Sequence, residues 1–94
     1  MPLKTLAFDA ADALDTPQAR IELLNDALAS NDPRVIAAAV GLIVRAQGVT
    51  ETARAAGVSR EAIYKATGPT GNPTLSTLLA LLKTAGIRLS AEAA

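Results

Sequence analysis

The chain has 94 residues, half of them hydrophobic, with nine basic and nine acidic side chains and neither cysteine nor histidine. That describes one small domain with a narrow chemical repertoire. Disulfides and thiolate metal sites are excluded, and the commonest acid–base residue and zinc ligand is missing. No convergent carboxylate pair stands out either, so an enzyme is not expected, nor a metal or cofactor.

Phe8 and Tyr64 are the two aromatic residues. A core of alanine, leucine, isoleucine and valine at helical spacing therefore predicts an all-α fold. The chain opens with a short extended piece over Lys4–Phe8, and Asp9 is placed to cap a single turn over Ala10–Leu14. Phe8 and Leu14 are the expected anchors of this arm. Thr16-Pro17 starts a helix with a capping hydroxyl and a proline at the first helical position. Ile21, Leu24 and Leu28 carry that helix to about Ser30. Asp32-Pro33 repeats the device. The helix it launches has an inner stripe of Val35, Ile36, Ala39, Val40 and Ile43, widened by Leu42 and Val44, and Gly48 ends it.

Thr50–Ala56 and Arg60–Ala66 read as two short helices around a tight turn. Ala53 is small where helices meet, and Gly57 supplies the positive φ that ends the first helix. Val58 fills the turn from inside, Ser59 caps the second helix, and Ile63 points inward with Ala62 and Ala66 beside it. Arg60, Glu61, Tyr64 and Lys65 are left facing outward. These spacings are those of a helix-turn-helix whose second helix can enter a major groove. A plain helical hairpin without DNA remains the alternative.

Gly68-Pro69-Thr70-Gly71-Asn72-Pro73 is a loop. It lacks the Gly-Lys-Ser/Thr ending and preceding strand of a P-loop, and is expected instead to offer amides to a DNA phosphate. Thr74 caps a last helix with Leu75, Leu78, Leu79 and Leu82 inward and Leu81 off the stripe. Ile87-Arg88-Leu89-Ser90 alternates like a short strand. The longest apolar run, Val35 to Val44, is too short to cross a bilayer. With no basic-then-apolar opening, no secretion signal is expected and a cytoplasmic protein is.

Charge is polarised along the chain. Residues 1–33 carry a balance of −4, and residues 34–94 a balance of +4. A basic face for phosphate and an acidic face for a basic partner follow from that split.

Ala53, Gly57-Val58-Ser59-Arg60, Ile63, Lys65, Gly71-Asn72-Pro73-Thr74-Leu75, Leu78-Leu79, Leu82 and Gly86-Ile87 resemble the lambda-repressor-like (Xre-type) DNA-binding domain. The resemblance implies five helices. Phe8-Asp9, Leu14, the acidic first helix, Asp32-Pro33, Gly48-Val49-Thr50 and Tyr64-Lys65-Ala66 extend it. With them the chain is similar to the HigA-like "addiction module antidote" antitoxins of type II toxin–antitoxin pairs. That family implies a cytoplasmic, nucleoid-associated homodimer that neutralises a RelE/ParE-type (HigB-like) toxin and represses its own operon. A leucine usual in the repressor pattern is replaced by Thr52, which predicts thinner packing there.

Two regions are expected within one compact domain: residues 1–30 as arm and first helix for toxin or dimer contact, and residues 31–90 as the helix-turn-helix core. Ser59, Arg60, Glu61, Tyr64 and Lys65 would face bases and nearby phosphates, and Thr50, Arg54, Thr70 and Asn72 the DNA backbone. Glu61 has a second reading as an i,i+4 partner of Lys65, and Tyr64 a second reading as a half-buried core aromatic. Two further functions stay open: a stand-alone helix-turn-helix repressor without a toxin, and a helical interaction module that does not bind DNA.

Overall fold

The computed structural model describes residues 14–94; Phe8, Asp9 and most of the predicted Ala10–Leu14 turn lie outside the described residues. Five α-helices follow in order: α1 (Pro17–Ala29), α2 (Pro33–Gln47), α3 (Val49–Ala56), α4 (Arg60–Thr67) and α5 (Leu75–Thr84). Each start except that of α3 carries the cap its sequence promised. Thr16 accepts from the amide of Ala19, Asp32 from that of Arg34, Ser59 from that of Ala62 and Thr74 from that of Thr77. A hydroxyl or carboxylate there satisfies an amide that the helix itself leaves without a partner.

α2 and α3 are almost continuous in sequence, yet their axes diverge by 106°. Gly48 makes the corner: with φ 105° and ψ 116° it ends one helix and begins the next. α3 and α5 end alike. Gly57 and Gly86 take left-handed φ, and the following amides of Val58 and Ile87 reach back to the carbonyls of Ala53 and Leu82, both at 3.0 Å. Val58 and Ile87 then pack on the core, completing the usual hydrophobic partner of this turn.

α2 is the hub and touches each of the other four helices. Its Val40, Ile43 and Val44 meet Leu24 of α1, Ala53 of α3, Ile63 of α4 and Leu81 and Leu82 of α5 in one cluster. Where α2 passes α4, a methyl at Gly41 would lie 2.9 Å from Thr67 Cβ, so any larger side chain would force one of the two helices to shift. Thr67 is itself buried, and its hydroxyl donates to the Ile63 carbonyl at 2.8 Å.

Several expectations are corrected. α5 is rolled so that Leu81, 1 % exposed, faces inward, while Leu75 (66 %) and Leu79 (44 %) face out. Its inner stripe is Leu78, Leu81 and Leu82. On α2, Val35 (43 %) and Leu42 (38 %) are off the core and Ala37 and Gly41 are on it. Ile21 and Ala62 are exposed as well. Residues 87–90 form no strand, and no strand occurs among the described residues. Ile87 and Leu89 instead settle against the core as irregular chain.

Thr52 stands in the repressor leucine's place beside a cleft of about 230 Å³ lined also by Gln47 and Thr84. It is buried, donates to the Gly48 carbonyl (2.8 Å) and accepts from Gln47 Nε2 (2.9 Å), which also donates to Thr84 Oγ1 (2.6 Å). A polar clasp thus joins α2, α3 and α5 with its hydrogen bonds made.

Candidate nucleic-acid interface

α4 is eight residues long, too short to be helical unaided. It is held from three sides. The Ser59 hydroxyl accepts from the Ala62 amide at 3.0 Å, Ile63 is sunk in the core, and Thr67 is seated against Gly41. With those points fixed, the opposite side of the helix faces solvent. Arg60, Glu61, Tyr64 and Lys65 are all exposed, the tyrosine by 43 %.

Arg60 and Tyr64 sit one turn apart and act on each other. Nη2 of Arg60 donates to the tyrosine hydroxyl at 3.3 Å, and the guanidinium carbon stands 5.9 Å from the ring centroid. A guanidinium over a ring face is attracted by the quadrupole and loses rotamer freedom. At 43 % exposure and outside the core cluster, Tyr64 is a surface residue and not a core aromatic. Glu61 forms no ion pair with Lys65: among the described residues the ion pairs are Arg34–Asp32 at 3.8 Å and Arg54–Glu51 at 3.5 Å. Lys65 is exposed and has no ion-pair partner among the described residues.

Thr50 and Arg54 are exposed on α3, so the chain brings them and the α4 residues to the surface of neighbouring helices. Arg54 is partly engaged by Glu51 on its own helix. Thr70 and Asn72 are exposed in the loop after α4 and line, with Lys65, Ala62 and Thr77, a cleft of about 380 Å³. The loop doubles back tightly. The amide of Gly71 donates to the Gly68 carbonyl at 2.9 Å, and a side chain at Gly71 would strike the Ala66 carbonyl. The Gly71 amide is therefore spent within the turn. Thr77 was not singled out in the sequence; its place in the cleft depends on how α5 is docked, which no local signal encodes.

Among the described residues no group of acidic, histidine or cysteine side chains could hold a metal ion. No helix there is both long and apolar enough to cross a membrane.

Comparison with known proteins places the chain in a family. The family described as "Probable addiction module antidote protein" matches residues 4–93. A protein of Haemophilus influenzae, described as uncharacterized, is 38 % identical over 86 residues, covering 90 % of this chain and 88 % of its own length. No solved structure matches. With almost the full length matched, the chain belongs to the family of probable addiction module antidote proteins.

Proposed function

We propose that the protein is a DNA-binding antidote: a cytoplasmic homodimer that neutralises a RelE/ParE-type toxin and represses the operon encoding both. The observation that carries the DNA-binding half is the pinned, solvent-facing α4. It holds Arg60, Tyr64 and Lys65 on one exposed surface while Ile63 and Thr67 anchor the other. Arg60 is suited to guanine or to a phosphate, Lys65 to phosphate as a point charge, and Tyr64 to a hydrogen bond or a sugar contact. Thr50, Arg54, Thr70 and Asn72 flank them as backbone contacts, and Ser59 and Glu61 border the helix start. Two copies would read half-sites about one helical turn apart, which predicts a near-palindromic operator.

The toxin half rests on family membership together with the acidic balance of residues 1–33, which favours encounter with a basic partner. A band-shift assay on the DNA upstream of the gene tests the DNA-binding half. The wild-type chain shifts it, and Arg60→Ala with Lys65→Ala weakens binding by about thirtyfold or more, as two lost charged contacts of roughly 1–3 kcal/mol each imply. Equal shifts by wild type and double variant would exclude α4 as the reading element.

A further inference from the structure

α2 carries a second apolar stripe, most of which the core leaves uncovered. Val35, Ala38, Ala39 and Leu42 recur at the i, i+3, i+4, i+7 spacing of a helix-packing face, and of the four only Ala39 is buried. They form the floor of an open groove of about 600 Å³, walled on the α1 side by Leu23. Val35, Ala38 and Leu42 are exposed, and the two alanines make a shallow between the two larger side chains. A helix with small residues between larger ones accepts a knob from a neighbour. In this chain no described residue supplies that knob.

The rim is acidic. Asp26 and Asp32 stand on it, and the Arg34 beside them is drawn onto Asp32 through its Nε at 3.8 Å. Asp26 has no ion-pair partner among the described residues. The groove also lies about a third of a turn around α2 from Gly41, the point where α4 is seated. Filling it leaves the exposed face of α4 uncovered.

We infer that the groove between α1 and α2 is the docking site of the toxin, and that it takes an apolar side chain flanked by lysine or arginine. This deepens the antidote reading and rests on it. The floor receives the apolar group, Asp26 meets the flanking cation, and bound toxin and bound DNA occupy different sides of α2.

The test uses the full chain and, as probe, the purified product of the adjoining reading frame. Ala38→Trp fills the groove from an exposed position, and Asp26→Lys reverses the rim. Both variants should keep the wild-type helix content and melting temperature. Affinity for the probe should fall about tenfold or more for Ala38→Trp and several-fold for Asp26→Lys, while Arg60→Ala leaves it unchanged. If Ala38→Trp fails to fold, Asp26→Lys decides alone. Wild-type affinity in both groove variants overturns the site and leaves the antidote reading standing, whereas a wild-type chain that ignores the probe removes both. Conversion of a dimer to monomer by Ala38→Trp, with probe affinity intact, assigns the groove to a second copy and also overturns the inference.

Discussion

Leu81 and Leu79 show how two neighbouring leucines acquire opposite roles. α5 has leucines at positions 75, 78, 79, 81 and 82, so 75/78/79/82 and 78/81/82 are both acceptable stripes by periodicity. Only the roll of α5 against α2 and α3 chooses between them, and that roll is a tertiary property. Leu81→Ala should destabilise the fold by about 2–5 kcal/mol and Leu79→Ala by well under 1 kcal/mol, measured by urea unfolding. Tyr64 and Arg60 were legible as outward residues because Ile63 fixes the phase of α4, but their mutual hydrogen bond was not. Tyr64→Phe removes that bond at an exposed site. Melting temperature should stay within a degree or two of wild type. Any loss of operator affinity then reports a role for the hydroxyl in DNA binding.

The helix starts were the most readable features at the scale of elements. Thr16, Asp32, Ser59 and Thr74 all cap as their residue types foretell, because a cap depends on three or four adjacent residues. Ser59→Ala should cost about 1 kcal/mol, with Ser59→Asp retaining most of the stability. The strand expected over Ile87–Ser90 had the right alternation and no ladder partner. Once α5 ends in its left-handed turn, the same alternation merely places Ile87 and Leu89 on the core. The reading of Val35 and Leu42 as core residues failed for a related reason. α2 is apolar over most of its circumference, so its sequence does not say which arc is covered. That surplus arc is the floor of the groove beside α1. The surface positions proposed for DNA were visible in the sequence, whereas the groove appears only once α1 is laid on α2.

For the whole molecule, zero net charge conceals a division that salt should reveal. If phosphate contacts supply much of operator affinity, binding should weaken steeply between 50 and 200 mM salt, on the order of a log–log slope of −0.9 per neutralised phosphate. Arg54→Ala should reduce the magnitude of that slope by about one while weakening binding similarly on different sequences. A slope unchanged by Arg54→Ala removes it from the backbone contacts. If the chain also binds a basic toxin as proposed, that binding should show a separate salt response, since the acidic balance lies in residues 1–33.

The hydrogen at Gly41 has a mechanical consequence. Because the stiff, β-branched Thr67 side chain, from its Cβ outward, is what an added methyl would meet there, the separation of the two axes has little slack. Gly41→Ala adds a better helix former, worth roughly 1 kcal/mol within α2, and at the same time wedges α4 outward by a fraction of an ångström. The two effects oppose each other in the melting curve but not in a geometry-sensitive assay. A chain carrying this substitution should therefore melt near wild type and yet misplace its guanidinium and ammonium groups, making that contact a calibration point for α4 rather than a source of stability.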